Sequence, residues 1–158
     1  MDSTIPNGAI EPIGVVSSPR KKRRDDEWGT VESTITLDAE QFDPVALNGL
    51  STFSHAEVIF FMDRVREEEI EWKARHPRNN SDWPSVGIFA QRAKSRPNRI
   101  GLSRCQITSV DGLTVSITGL DAIDGTPILG LKPYMNEFGP NGPVRQPAWA
   151  DELMANYY

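Results

Sequence analysis

Glycine, proline and other turn-forming residues divide this chain into short apolar segments, which restricts the folds open to it. The 158 residues include 12 glycines and 12 prolines, spread along the whole length. Between them, apolar and polar residues alternate as in half-buried strands, and Val31, Ser33, Ile35 and Leu37 fall on one face. Many short strands joined by turns are typical of β-barrels. The sequence therefore predicts a mainly β fold, a small β-barrel with peripheral helices.

The same pattern places the individual elements. We expect strands at residues 10–16, 31–37, 56–62, 86–89, 105–110 and 114–118. Asp111-Gly112 suits the turn of a β-hairpin between the last two strands. Asp43 and Pro44 are suited to begin a short helix, and residues 63–76 read as a longer helix with a polar face, ended by Pro77.

The domain organisation is expected to be simple. Residues 1–9 are predicted to be disordered, and residues 10–158 to form a single domain with a C-terminal extension at 135–158. A short helix ends the extension, with Trp149, Leu153 and Tyr157 recurring at four-residue spacing. Such an apolar stripe either docks on the chain's own core or forms a dimer contact.

Several classes of protein are disfavoured by the composition. No two of the glycines have a single residue between them, so no Gly-x-Gly nucleotide fingerprint exists and a Rossmann methyltransferase is not expected. No run of 18 apolar residues predicts a membrane span. One cysteine, Cys105, and two histidines argue against a disulfide or a Cys/His zinc site, which favours a cytoplasmic protein without a metal.

Charge is distributed unevenly along the chain. The net charge is −5, whereas general nucleic-acid binders are usually basic over the whole domain. Residues 20–24 nevertheless form a basic run, and residues 92–104 carry five basic side chains and no acidic one. A local basic face and an ordinary solvated surface of mixed charge are both compatible with this pattern.

Two stretches, residues 87–103 and 119–134, contain many glycine, proline and polar residues among their apolar ones. Such a composition is poorly suited to a hydrophobic core. Arg92-Ala-Lys-Ser-Arg-Pro-Asn-Arg-Ile-Gly101 and Asp121-Ala-Ile-Asp-Gly-Thr-Pro127, followed by Lys132-Pro-Tyr134, resemble the signature of the TsaA-like (YaeB/TrmO, UPF0066) family. The resemblance implies a TsaA-like β-barrel that dimerises, binds S-adenosylmethionine and acts as a methyltransferase. In TrmO-type members it implies methylation of N6-threonylcarbamoyl-adenosine in tRNA.

The resemblance also implies particular site residues. The positions that it places at the cofactor are His55, Ala56, Arg92, Leu102, Ile123, Asp124, Gly125 and Thr126. The weaker candidates for substrate contacts are Arg96, Asn98, Lys132 and Tyr134. Arginine suits the methionyl carboxylate because a guanidinium can hold both oxygens. No catalytic residue is identified, since methyl transfer depends largely on alignment of the reacting atoms.

The chain departs from the TrmO pattern in several places. The Pro-Arg-Gln triplet that follows the first strand in TrmO-type members is absent, and residues 25–29 stand there instead. In that segment Trp28 either stacks on a base or is an aromatic at the edge of the core. Gln91 replaces a threonine, and residues 66–83 form an insert. Besides a tRNA methyltransferase, a methyltransferase for a small molecule or protein and a non-catalytic binding module therefore remain open.

Overall fold

A closed six-stranded antiparallel barrel forms the body of the molecule in the computed structural model, which describes residues 4–158. The eight strands are Gly14–Ser17 (β1), Glu32–Leu37 (β2), His55–Phe61 (β3), Ala74–Arg75 (β4), Val86–Gly87 (β5), Ile100–Asp111 (β6), Thr114–Thr118 (β7) and Pro127–Pro133 (β8). The barrel has the strand order β1-β2-β7-β6-β3-β8 and closes where β8 pairs with β1. The predicted β-barrel is thus confirmed. Strands β4 and β5 form a separate small hairpin.

Alternating side chains fill the barrel. Strand β3 turns Ala56, Val58 and Phe60 inward, and all three are buried. Ile35 on β2 and Ile117 on β7 join Val58 and Phe60 in the same cluster. Removal of these apolar side chains from water supplies the main stabilising free energy of the barrel. Period-two alternation, which is visible in the sequence, therefore determines which face of each strand lies inside.

The β6–β7 hairpin occurs where Asp111-Gly112 predicts it, with Gly112 at a φ of +55°. Strand β6 is longer than expected, because it begins at Ile100 and contains residues 100–104, which the sequence places in a basic loop. Antiparallel pairing with β3 from Ile100 to Gln106 accounts for the extra length. One end of the basic stretch is therefore held rigidly on the barrel.

The predicted helix over 63–76 is wrong. That region has a 3₁₀ turn at Glu67–Glu69 and then strand β4. Val65 is buried but Trp72 is 69% exposed, so the segment has no continuous apolar stripe to pack. The Gln91 side chain also donates to the carbonyls of Arg75 and Val86, which holds the β4–β5 hairpin closed.

Strand β8 has no counterpart among the predicted strands, because its glycine and prolines suggest turns. It nevertheless pairs with β3 on one side and with β1 on the other, and so closes the barrel. A bulge between Ile59 and Phe60 adjusts the register of the β3–β8 pair. Backbone pairing on both sides outweighs the weak strand propensity of this segment.

The ends and the short helices complete the fold. Asp43 caps a 3₁₀ turn at Pro44–Leu47 by accepting from the Val45 N–H, as expected from the sequence. Residues 4–9 carry no helix or strand, and the remainder of the predicted disordered segment lies outside the described residues. A helix at Ala148–Met154 (α1) is the expected C-terminal helix.

Candidate functional site

A large cavity of about 970 Å³ opens beside the barrel, at the end where β3 finishes and β6 begins. Its walls come from these strand ends, the basic stretch, the 121–126 segment and the C-terminal extension. Among the lining residues are Trp28, Phe60, Met62, Gln91, Arg92, Arg96, Asn98, Leu102, Asp121, Ile123, Thr126, Trp149, Leu153 and Tyr157. The two sequence stretches that resemble a cofactor signature therefore meet at one place.

The basic stretch supplies one wall. The Arg92 guanidinium donates through Nη2 to the carbonyl of Leu102, which fixes it beside the start of β6. Arg96 donates through Nη1 to the carbonyl of Gln91 at 2.9 Å. Asn98 has a φ of +63° inside a 3₁₀ turn, a conformation that asparagine tolerates better than most residues. The structure thus has the turn that Pro97-Asn98 predicts.

The segment from Ile123 to Thr126 supplies the opposite wall, but its four residues have different positions. Ile123 and Thr126 line the cavity, and the Thr126 hydroxyl donates to the Ile123 carbonyl at 2.7 Å. Asp124 accepts from the Ser18 N–H at 3.0 Å, and the Gly125 N–H donates to the Val16 carbonyl at 2.8 Å. Asp124 and Gly125 therefore attach the segment to β1 and are not among the cavity-lining residues.

Asp121 is a lining residue that the sequence reading noted without assigning it a role. Its Oδ1 accepts from the Ser103 hydroxyl and its Oδ2 accepts from the Tyr157 hydroxyl. Burial, together with the neighbouring Asp121 carboxylate, raises the pKa of the Tyr157 phenol. The phenol accordingly keeps its proton at neutral pH and acts as a donor.

Two of the expected cofactor residues, His55 and Ala56, lie away from this cavity. They begin β3, whereas the cavity lies at its other end beside Phe60 and Met62, about 20 Å along a seven-residue strand. Ala56 is fully buried in the barrel, and the His55 ring bonds Ser54 Oγ at 2.8 Å. The structure does not bring these residues together with Arg92.

Lys132 and Tyr134 also lie at the far end, beside the start of β3. The Tyr134 N–H donates to the His55 carbonyl at 2.9 Å, and Lys132 pairs with Glu57 across the β3–β8 ladder. The guanidinium of Arg104 stacks over the Tyr134 ring at 3.8 Å. Of the four weaker candidates, only Arg96 and Asn98 therefore line the cavity.

Trp28 and the C-terminal stripe complete the walls. Trp28 is 3% exposed, with the Arg20 guanidinium 4.4 Å above its ring. Trp149, Leu153 and Tyr157 all face the cavity of their own chain, which is the first of the two expectations for this stripe. Its four-residue spacing was the only sequence signal for these contacts, because their partners lie far away in the chain.

Ion pairs tie the loop of residues 20–29 to the insert. Arg23 binds Glu69 at 2.7 Å, and Arg78 binds Asp26 at 2.7 Å. The Arg23 guanidinium lowers the pKa of Glu69 to about 2. Much of the basic run is thus paired within the chain, and Arg24 also pairs with Glu27.

Other kinds of site find little support in the described part of the chain. Within residues 4–158, no group of three or more His, Cys, Asp or Glu side chains is placed to hold a metal ion. Helices in this range are too short or too polar to cross a bilayer. Burial raises the pKa of the Cys105 thiol to about 12, so Cys105 does not supply a thiolate nucleophile.

Several named proteins are similar to this chain in sequence. A probable S-adenosyl-L-methionine-binding protein of Methanothermobacter thermautotrophicus is 33% identical over 132 residues, covering 81% of this chain and 90% of that protein. The tRNA (adenine(37)-N6)-methyltransferase of Escherichia coli is 33% identical over 135 residues, covering 80% of this chain and 57% of that enzyme. The mouse protein of the same name is 37% identical over 93 residues, covering 59% of this chain and only 21% of its own length.

Solved structures show the same fold. A crystal structure of TrmO from Pseudomonas aeruginosa superposes with a TM-score of 0.73 at 23% identity, over 94% of this chain and 64% of that one. Another from the same organism has a TM-score of 0.66 at 26% identity, over 86% and 60% of the two chains. The model of the tRNA-methyltransferase O N-terminal domain matches residues 17–139. The chain therefore belongs to the family of tRNA-methyltransferase O N-terminal domains.

Proposed function

We propose that this chain binds S-adenosylmethionine in the cavity and transfers its methyl group to adenosine in tRNA. The observation that carries the proposal is the meeting of Arg92, Leu102, Ile123 and Thr126 around one cavity. These residues come from two separate signature stretches, and the family resemblance assigns all four to the cofactor. Relatives in bacteria and mammals that bear the name tRNA (adenine(37)-N6)-methyltransferase support the choice of reaction.

The lining side chains suit the chemistry of this cofactor. A volume of about 970 Å³ is large enough for a small molecule. Arg92 offers a guanidinium for a carboxylate, and Asp121 offers a carboxylate for a positive centre. The bound cofactor supplies an activated methyl group on a sulfonium, and the residues of the chain bind and orient it and exclude water.

The finer identity of the acceptor belongs to the same proposal. The resemblance to TrmO-type members favours N6-threonylcarbamoyl-adenosine as the acceptor, with Arg96 and Asn98 as contacts at the cavity. Asp124 and Gly125 support the cofactor through the backbone of their segment, since Asp124 bonds Ser18, just after β1, and Gly125 bonds Val16 on β1. His55 and Ala56 would act only through the barrel, because they lie at its other end.

A second candidate is binding of the cofactor without tRNA methylation. One observation favours it: the archaeal relative of which this chain covers 90% is named only as a binding protein. In addition, the insert and the C-terminal extension add walls to the cavity, through Arg75 and Arg78 on one side and Trp149 on the other. These added walls favour a small-molecule acceptor over a large nucleic acid.

Two measurements test the proposal. Calorimetry with the purified protein and a chelator should show binding of S-adenosylmethionine, and the absence of binding at millimolar cofactor would refute the whole proposal. Mass spectrometry of tRNA nucleosides from cells with and without the gene should show loss of a methylated, threonylcarbamoylated adenosine. If binding is present but the nucleosides are unchanged, the second candidate replaces the first.

A further inference from the structure

The Asp121 carboxylate is held in one orientation by two hydroxyl groups. Ser103, which donates to Oδ1, lies on β6 and is only 2% exposed, so its position is set by the barrel. Tyr157, which donates to Oδ2, belongs to the C-terminal extension. Each carboxylate oxygen can accept more than one hydrogen bond, so both retain capacity for a ligand. The carboxylate is therefore fixed in place without being saturated.

Asp121 also differs in charge balance from the other acidic residues of the cavity. Asp25 pairs with Lys94 at 3.4 Å, and Asp63 pairs with Arg64 at 3.3 Å. No ion pair of Asp121 occurs anywhere in residues 4–158, and both of its hydrogen-bond donors are neutral. A partly buried carboxylate without a basic partner favours a positive charge nearby.

The position of Tyr157 is itself well determined. The N–H groups of Glu27 and Trp28 donate to the carbonyls of Asn156 and Tyr157 at 2.8 and 2.7 Å. Backbone hydrogen bonds thus tie the end of the extension to residues 27 and 28. The Trp83 indole N–H of the insert holds helix α1 by donating to Glu152 at 2.7 Å. The Tyr157 hydroxyl is delivered to Asp121 by these contacts.

We infer that Asp121 binds the positive centre of the ligand and that Tyr157 is a positioning residue that orients its carboxylate. The inference rests on the proposed function, in which the positive centre is the sulfonium of S-adenosylmethionine. It gives Tyr157, which lies beyond the residues 17–139 of the family match, a role in cofactor recognition. Discrimination between the cofactor and its demethylated product follows directly, because only the cofactor carries a positive charge on sulfur.

Calorimetry with S-adenosylmethionine and with S-adenosylhomocysteine, in which a neutral thioether replaces the sulfonium, tests this inference. The wild-type protein should bind the charged molecule more tightly. Asp121→Asn keeps the size of the side chain, and we expect it to lower that preference at least about tenfold, the effect of losing one charge-assisted contact. Tyr157→Phe keeps the ring, and we expect a smaller loss of about threefold because Ser103 still donates.

Matched controls separate the possible outcomes. Glu57→Gln removes a carboxylate that is paired with Arg104 outside the cavity, and Tyr158→Phe removes the neighbouring phenol; neither should change the preference. Equal weakening of both ligands by Asp121→Asn, or an unchanged preference in Tyr157→Phe, would overturn the inference and leave the proposed function intact. Failure of the wild-type protein to bind either ligand would instead overturn the proposed function. Thermal melting checks that each variant is folded.

Discussion

At the scale of single residues, Arg92 and Lys94 have similar charges but different surroundings. Both side chains line the cavity and are accessible to solvent, but the Arg92 guanidinium is held at the Leu102 carbonyl, whereas Lys94 is paired with Asp25. We expect Arg92→Ala to weaken cofactor binding by about 2–5 kcal/mol, since a charge pair with the ligand is lost. Lys94→Ala should cost under about 1 kcal/mol.

Calorimetric titration of both variants under the same conditions measures the difference. Because the two residues lie in the same basic stretch, any general loss of charge affects both alike. Equal losses of affinity would contradict the assignment of Arg92 to the cofactor. The comparison thus separates a specific contact from a general electrostatic effect. Salt screens the general effect much more strongly than the specific contact.

At the scale of structural elements, the close pairing of β3 with β6 depends on Gly101, which lies opposite Phe60. A Cβ atom at this position would lie 2.2 Å from two ring atoms of Phe60, which is buried in the barrel. We expect Gly101→Ala to lower the free energy of unfolding by about 1–3 kcal/mol through overpacking. Urea denaturation monitored by tryptophan fluorescence measures the change.

Gly130 on β8 provides the matched control for this substitution. A Cβ there would be 3.5 Å from the nearest atom of Ile59, an ordinary contact. Gly130→Ala should therefore leave the midpoint of unfolding nearly unchanged. Should both variants unfold at the same urea concentration, the close approach of Phe60 to β6 would not be a feature of the folded protein.

At the scale of the whole molecule, the proposed tRNA substrate requires a positive surface on a chain of net charge −5. Arg23 and Arg24 are occupied by Glu69 and Glu27, whereas Lys21 and Lys22 are exposed and form no ion pair within residues 4–158. We expect charge reversal of the two lysines to weaken tRNA binding and to reduce its dependence on salt, because fewer counterions are released.

Binding assays across a range of salt concentrations measure this slope, with cofactor affinity as the internal control. The change should leave cofactor affinity intact, because neither lysine lines the cavity. If tRNA binding is undetectable at about 50 mM salt, where phosphate contacts are strongest, a small-molecule acceptor becomes the better proposal. The homodimer stays a prediction. The apolar stripe expected at its contact lines the cavity of its own chain.

The sequence by itself determined the barrel class and the two stretches that line the site. Inward-facing residues such as Ile35 and Leu37 were recognisable because strand periodicity is a local property of neighbouring side chains. The Asp111-Gly112 hairpin was recognisable for the same reason. The signature stretches, with Arg92 and Thr126, were found through their resemblance to a family.

Only the tertiary structure decided the features that depend on distant partners. Strand β8 exists because β1 and β3 pair with it. Residues 63–76 are not helical, because they form a 3₁₀ turn and strand β4 of the small hairpin and have no continuous apolar stripe. Tyr157 reaches Asp121 through backbone bonds to residues 27 and 28. His55 falls at the opposite end of β3 from the cavity. Long-range pairing sets all of these relations, and no local pattern in the sequence encodes them.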